Sequence, residues 1–425
     1  MPSHSPSADC QIRSNRDRKN VCLLDKRCQT HMAPLLWKSI SPSFKPILQQ
    51  SLLDLYNPNG NILKNVTDFT LWDIDHSLDH RERLLRFLVT MPRNQLKSFS
   101  SNYPVDDDML HIMLQNHRTI ETLRVPFIQG PGPEDLPLSS TPWIGEYFRN
   151  LKSLEINLDP DFLDADVANY SFIVANAPKL ESLQIQAHYE VQERFGHVTL
   201  EDMSLSTPDT PILTKLEHLS LSLIDFDNCA ELLPEIDFSK LKTLRLKFCR
   251  NIDQFLQMLL PKFEEDGYAL EILEIGRTGS DEDVDTHGIA MAEITILNQF
   301  LESFVGLKEL YIDADYNRLV HSRGDEDADA ISTHAGTLEI LCAGSANGMY
   351  RFNIAALTRI LDRCTNLKQL GISFLGFAER TRTLHRRLHR RRDLNDLTAN
   401  PNGMPVTCPR LVSCPPPNPP MAKGF

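Results

Sequence analysis

The chain has 425 residues, 41% of them apolar and 24% charged, with a formal net charge of −13 at pH 7. This length excludes a single ordinary domain of about 150 residues, and the modest apolar share suits an elongated domain with a narrow core. No apolar run of about 18 residues occurs, and residues 1–28 lack the apolar stretch of a secretion signal, so we expect no membrane segment and a cytoplasmic or nuclear location.

Two segments precede the repeated part of the chain. Residues 1–21 are polar, so we expect a disordered N-terminus. Residues 22–45 are partly apolar, and from the residues alone we expect Leu36 and Trp37 to pack on the first repeats near Phe69. The candidate residues of this segment are Pro34, Leu35, Leu36, Trp37 and Ile40.

From residue 46 to residue 376 the chain repeats the pattern Leu-x-x-Leu-x-Leu, with Ile as a frequent last residue, about every 30 residues. The last two apolar positions are two residues apart, so they share one face of a β-strand. One such strand cannot bury its apolar row alone, so about 11 copies must stack into a solenoid. The copies begin at Val66, Leu96, Ile120, Leu151, Leu180, Leu216, Leu241, Leu270, Leu307, Leu338 and Leu367.

Between the strands the apolar period lengthens to three or four residues, which predicts helices. A helix between two strands returns the chain to the same end of a sheet, so the strands should be parallel. The expected fold is an α/β leucine-rich-repeat solenoid, a horseshoe with parallel inner strands and outer helices. The predicted helical stripes are Leu84/Leu85/Leu88, Val105/Met109/Ile112/Met113, Ile294/Leu297/Phe300/Leu301/Phe304 and Ile354/Leu357/Leu361/Cys364.

The strand residues of this fold should be buried in one parallel sheet. The set comprises Leu154, Ile156, Leu183, Ile185, Leu219, Leu221, Leu244, Leu246, Leu273, Ile275, Leu310, Ile312, Leu370 and Ile372. The side chains on either side of each buried pair then point to the concave face of the horseshoe. We expect them to be exposed and to bind a protein partner. These candidate partner-binding residues are Glu155, Asn157, Gln184, Gln186, Ser220, Ser222, Arg245, Lys247, Glu274, Tyr311 and Asp313.

The fullest copy reads Leu241-x-x-Leu244-x-Leu246-x-x-Cys249-x-x-Ile252. It resembles the cysteine-containing subclass of leucine-rich repeats that is common in F-box proteins. The resemblance implies that Cys249 lies in the turn after the strand, buried as a small apolar side chain. The chain has nine cysteines and no Cys-x-x-Cys pair, which favours reduced thiols over a disulfide framework.

Residues 23–40 resemble the last part of an F-box, through the run from Ala33 to Ile40, APLLWKSI. In the fungal F-box/leucine-rich-repeat family this segment leads directly into the first repeats, as it does here. The resemblance implies a substrate-recognition subunit of an SCF-type cullin–RING ubiquitin ligase, acting in ubiquitin-dependent protein degradation with a Skp-type adaptor and a cullin as partners. The match covers about 18 residues and lacks the opening helices that carry most of the adaptor contact, so the F-box appears as a C-terminal remnant.

The charge is unevenly distributed. Residues 377–425 hold nine basic and three acidic residues, which leaves residues 1–376 with a net charge of −19. Such an acidic domain is a poor nucleic-acid binder, since phosphate contacts need basic side chains. The basic run 386–392 is open to two interpretations, a nuclear-import or nucleic-acid patch and a disordered tail, and the proline-rich run 415–420 favours the tail.

No catalytic, cofactor or metal site is predicted, and we expect a protein that is not an enzyme. His76 and His80, like His385 and His389, are four residues apart but lack the glutamate and third ligand of a zinc site. Two alternating aspartate runs, 281–285 and 325–329, lack the glycine of a calcium loop and are interpreted as solvated insertions.

Two functions remain open at this level. One is the ligase subunit that the resemblance implies, and the other is a leucine-rich-repeat interaction scaffold without ubiquitin transfer. Because the opening F-box helices are missing from this sequence, we expect it to bind the adaptor weakly or not at all.

Overall fold

The protein is seen in a computed structural model. It describes residues 35, 38–40, 63–71, 85, 88–101, 105–125, 128–129, 142–158, 163–187, 198–199, 213–227, 236–268, 270–276, 289–313, 324–344 and 352–372. The chain divides into two compact units, Met1–Leu180 and Glu181–Phe425. Both units are mixed α/β, and the paired strands within each are parallel.

In the N-terminal unit five strands pair side by side in chain order. They are β1 (Ser39–Ile40), β2 (Asp68–Leu71), β3 (Ser98–Ser101), β5 (Thr122–Val125) and β7 (Ser153–Leu158). Two further short strands, β4 (Val105–Asp106) and β6 (Ile128–Gln129), pair with each other. The described helices are α1 (Asp107–Asn116) and α2 (Leu163–Ala175), with 3-10 segments at Leu63–Asn65 and Pro142–Asn150.

The C-terminal unit has seven strands paired in chain order. They are β8 (Ser182–Ala187), β10 (His218–Ser222), β12 (Thr243–Lys247), β13 (Ile272–Gly276), β14 (Glu309–Asp313), β15 (Ile340–Gly344) and β16 (Gln369–Ile372). The short strands β9 (Val198–Thr199) and β11 (Ile224–Asp225) form a separate pair. The described helices are α3 (Ile252–Asp266), α4 (Ile289–Glu302), α5 (Gly324–Ser332) and α6 (Ile354–Arg363), with a 3-10 turn at Phe238–Lys240.

The strand register aligns the repeated apolar residues. Leu219 of β10 lies opposite Leu183 on one side and Leu244 on the other, and the same position continues through Leu273 to Leu310. Burial of the predicted strand residues is confirmed for all but one of them, with exposures of 6% or less. The exception is Ile372, which is half-buried because no described strand pairs with the far side of β16.

The helical stripes are confirmed where the structure describes them, with one correction. Leu297, Phe300 and Phe304 are buried along and just beyond α4, and Leu357 and Leu361 are buried on α6. The correction concerns the stripe that was expected to begin at residue 105. That residue lies in β4 and pairs with residue 128 of β6, so helix α1 begins two residues later.

The turn after β12 buries a cysteine, as the resemblance implied. Cys249 is fully buried, and its Sγ lies 3.4 Å from the carbonyl oxygens of Leu221 and Lys247, either of which can accept a hydrogen bond from the thiol. Burial raises the pKa of this thiol to about 12, so it stays protonated at neutral pH and is a poor nucleophile. The described cysteines, Cys249, Cys342 and Cys364, are buried and form no disulfide with one another.

An aromatic cluster joins three consecutive helical segments of the C-terminal unit. The ring of Phe263 on α3 lies 4.9 Å from that of Phe300 on α4, and Phe300 lies 5.4 Å from Phe304. The ring of His334, just after α5, completes the cluster 4.9 Å from Phe304 and is 1% exposed. Burial lowers the pKa of His334 to about 4, although the nearby Leu301 carbonyl opposes that shift. Neither ring nitrogen of His334 makes a well-aligned hydrogen bond within the described part of the chain.

No helix in the described ranges is both long enough and apolar enough to cross a membrane.

Candidate functional site

The side chains that alternate with the buried leucines lie on the other side of the sheet, which we call the core-distal face. In the C-terminal unit the register sets them in rows across neighbouring strands. The central row is Gln184, Ser220, Arg245, Glu274, Tyr311 and Cys342, and the row after it is Gln186, Ser222, Lys247, Gly276, Asp313 and Gly344. Nine of the eleven predicted partner-binding residues therefore share this surface. The other two, Glu155 and Asn157, lie on β7 of the N-terminal unit.

A buried carboxylate with two cations lies near the middle of these rows. Glu274 is 5% exposed, and Lys247 Nζ lies 3.0 Å from its Oε1. Arg245 Nε lies 3.2 Å from Glu274 Oε2, but without the alignment of a hydrogen bond. The two cations lie on β12 and the carboxylate on β13, so parallel pairing brings the three groups together. Burying a carboxylate costs free energy, which nearby counter-charges in good geometry can offset.

A simpler arrangement, one carboxylate with a single cation, occurs in the N-terminal unit. Arg124 of β5 and Glu155 of β7 are neighbours in the register, and Arg124 Nε lies 3.0 Å from Glu155 Oε1. Burial raises the pKa of Glu155, and the positive charge of Arg124 opposes that rise. No second cation lies within ion-pair distance of Glu155 in the part of the chain that the structure describes.

The far end of the central row is apolar. Tyr311 and Cys342 are each 3% exposed and form a small hydrophobic cluster with the partly buried Ile272 and Ile340. The Tyr311 hydroxyl donates a hydrogen bond of 2.9 Å to Glu309 Oε2. This part of the face is thus an extension of packed structure beyond the main core.

The sequence-based expectation of exposure is therefore wrong for Glu274 and Tyr311, which are buried. Their cross-strand neighbours cover them, whereas the sequence pattern indicates only which face a side chain occupies. The remaining predicted residues are half-buried: Glu155, Asn157, Gln184, Gln186, Ser220, Ser222, Arg245, Lys247 and Asp313.

Sequence reasoning missed a third row of the same face. The residue just before each inward leucine lies there, and in the register His218, Thr243, Ile272, Glu309 and Ile340 follow one another. His218 Nδ1 lies 3.0 Å from Thr243 Oγ1, within hydrogen-bond distance. Side chains alternate between the two faces along a strand, and this rule, which identified the other rows, would also have placed these residues on the same face. Cys342 was also missed, because the copy that begins at residue 338 ends in Ala instead of Leu or Ile.

Two bulky residues at the carboxyl ends of neighbouring strands have left-handed backbone. Leu223 follows β10 with φ of 61°, and Phe248 follows β12 with φ of 55°. Their amides donate to the carbonyls of Lys247 and Gly276, with N–O distances of 2.8 Å. This conformation costs a residue with a β-carbon roughly 1–2 kcal/mol, so the surrounding hydrogen bonds impose it.

A series of Glu–Lys ion pairs lies along the amino ends of the strands and was not predicted. Each pair joins two neighbouring copies through the residue that follows the first leucine of each. The pairs in the C-terminal unit are Glu217–Lys242 at 2.8 Å, Glu271–Lys308 at 3.0 Å and Glu339–Lys368 at 2.7 Å. The hydrogen bond from Lys242 holds the pKa of Glu217 below its usual value. These exposed ion pairs are structural, and each contributes little to the free energy of unfolding.

The interpretation of the aspartate run 325–329 as a solvated insertion needs one correction. These residues belong to α5, and Asp327 is buried, accepting a 2.8 Å hydrogen bond from Asn298 Nδ2. Asp329 forms ion pairs with Arg359 and Arg363 at 2.8 and 3.0 Å. The interpretation as a solvated insertion is therefore wrong for Asp327, because this segment is a helix packed between neighbours. In the described part of the chain no three potential metal ligands cluster.

Several predicted residues lie outside the described part of the chain. These are Pro34, Leu36, Trp37, His76, His80, His385, His389, the aspartates of 281–285 and the tail 377–425. Of the F-box-like segment, Leu35 is 59% exposed. Ile40 lies in β1, whose register sets it opposite Phe69 of β2. The carbonyl of Lys38 accepts hydrogen bonds of 2.9 Å from the amides of Thr67 and Asp68.

In comparisons with known proteins, no protein-family model matches this chain and no curated protein matches it.

Proposed function

We propose that this chain is a leucine-rich-repeat solenoid that binds another protein on its core-distal face, in the cytoplasm or nucleus. The observation that carries the proposal is the alignment of Gln184, Ser220, Arg245 and Glu274 in one row across four consecutive strands. Repeated strands of this kind present an extended surface made of many small contributions, which suits a folded partner.

The charge composition of that row supports recognition over mere solvation. A buried carboxylate flanked by two cations is weak evidence for stability, because well-packed apolar side chains of similar size often serve the fold as well or better. The arrangement of Glu274 with Arg245 and Lys247 therefore suits a surface whose charges determine which partner binds. The half-buried neutral residues Ser220 and Gln184 beside it offer hydrogen bonds without a large desolvation cost.

Substitution of Ser220 with Trp tests this proposal. The indole would cover the centre of the row, so we expect partner capture to fall at least tenfold, about 1.4 kcal/mol, with little change in the unfolding midpoint. The matched control is Gln257→Trp on the exposed side of α3. The measurement is quantitative mass spectrometry of proteins recovered with each tagged full-length variant. Equal loss in both variants, or in neither, would contradict the assignment of the face.

The second candidate is the substrate-recognition subunit of an SCF-type ubiquitin ligase. The pairing of β1 with β2 supports it, because the end of the F-box-like segment then adjoins the first repeat, as in the family that the segment resembles. The scaffold without ubiquitin transfer is the alternative. Gel filtration of the purified full chain with a Skp-type adaptor separates the two, since a stable complex favours the ligase subunit and its absence favours the scaffold.

A further inference from the structure

A small basic and aromatic surface lies at the carboxyl end of β12. We call Arg245, Lys247 and Phe248 the β12 patch. Arg245 and Lys247 share one carboxylate, that of Glu274, so two positive charges meet one negative charge. The next charged residue in the row of Lys247 is Asp313, two strands away. The patch therefore carries an excess of about one positive charge in a chain whose net charge is −13.

The guanidinium of Arg245 is only partly used by the protein. Its Nε lies 3.2 Å from Glu274 Oε2 without the alignment of a hydrogen bond. The side chain is 36% exposed, so the guanidinium remains within reach of a ligand. A guanidinium with two available parallel N–H donors matches the two oxygens of a carboxylate.

Phe248 is the residue after Lys247 in the chain and offers an exposed apolar side chain. It is 42% exposed and is the aromatic member of the large apolar side chains that are exposed in the described residues. Its φ of 55° is a conformation that favours Gly or Asn over a bulky residue. Strained backbone of this kind concentrates at binding sites, and aromatic side chains, Phe included, are enriched at interfaces.

The N-terminal unit offers a natural comparison. There Arg124 meets Glu155 alone, so the charges balance one to one. The same register position thus exists in both units, but within the described part of the chain only the carboxylate beside β12 has a second cation.

We propose that the β12 patch binds an acidic peptide segment of the partner protein. One aspartate or glutamate carboxylate receives two hydrogen bonds from Arg245, and a neighbouring apolar side chain packs on Phe248. A single excess charge matches one carboxylate and is too little for a polyphosphate backbone near an acidic chain. This inference rests on the proposed function, because it names the chemistry of the partner on the same face.

The experiment is selection of a random displayed peptide library on the full-length chain. We expect enriched sequences to carry Asp or Glu beside a large apolar residue, and binding of their synthetic forms is measured by fluorescence anisotropy. Arg245→Lys keeps the charge but removes the paired donors, so affinity should fall about tenfold. Phe248→Asn keeps the backbone conformation and should also lower the affinity about tenfold. The matched control Arg124→Lys should change it less than twofold.

Several results would overturn the proposal. These are enrichment of neutral or basic peptides, no enrichment at all, unchanged affinity after replacement of the peptide acids by Asn or Gln, and equal loss in the Arg124→Lys control. Tighter binding of a single-stranded oligonucleotide than of any peptide would overturn it in favour of nucleic acid. If the peptide result fails while Ser220→Trp still abolishes partner capture, the proposed function stands and only the acidic-segment assignment falls.

Discussion

Substitution of Leu244 with Ala is expected to lower the free energy of unfolding of the C-terminal unit by about 2–5 kcal/mol. Leu244 is fully buried in β12, with Leu219 and Leu273 as its register partners on either side. Its side chain fills space between two neighbouring strands that cannot collapse independently, so much of the cavity should persist. Urea unfolding followed by circular dichroism measures the change.

Ser222→Ala is the matched control for this prediction. It also converts a strand residue to Ala, by removing one oxygen atom, but on the core-distal face of the adjacent β10. We expect its effect to stay within about 0.5 kcal/mol. A Leu244→Ala variant that loses less than this amount would show that the aligned leucines are not the core of the unit.

Stability should also fall as the pH drops from about 6.5 to about 4, because of His334. In the folded protein the pKa of His334 is lowered from 6.5 to about 4, chiefly by burial. Between these values the unfolded chain binds a proton that the folded chain does not, so acidification favours unfolding. The full pKa difference between the unfolded and folded chain corresponds to about 3 kcal/mol of unfolding free energy, which is present above pH 6.5 and lost by pH 4. The pKa of the buried His117 is lowered in the same direction, also by burial.

The variant His334→Phe isolates this contribution. Phe keeps a ring against Phe304 and removes two nitrogens that lack well-aligned hydrogen bonds, so stability at pH 7.5 should be maintained or raised. Its free energy of unfolding should then vary less between pH 6.5 and 4. Parallel pH curves for wild type and His334→Phe would contradict the assignment.

The leucine spacing was sufficient to predict the strand positions, the parallel pairing and the buried pair of each strand. A period of two fixes the face of a side chain from local covalent geometry alone. It does not fix how deeply that side chain is buried, because the burial of Glu274 and Tyr311 depends on residues of adjacent strands about 30 positions away. The register places Arg245 beside Glu274, but the ion pairs also depend on side-chain conformations that the leucine spacing does not specify.

Local sequence signals misled the prediction at particular positions. Val105 fits a helical stripe by spacing, yet it lies in a strand because Ile128 pairs with it. Left-handed backbone is usually marked by Gly or Asn in the sequence. Position 248 is Phe, so its conformation could not be anticipated. Asp327 belongs to a charged run typical of solvent, but hydrogen bonding to Asn298 of the preceding helix buries it.

Cysteine footprinting of the partner complex tests the central claim most directly. Ser220→Cys on the core-distal face and Gln257→Cys on α3 are labelled with a maleimide in the free chain and in the complex, and each site is quantified by mass spectrometry. The proposed function predicts that partner binding slows labelling at residue 220 at least fivefold, about 1 kcal/mol, and leaves residue 257 unchanged. Protection at residue 257 with full reactivity at residue 220 would contradict it.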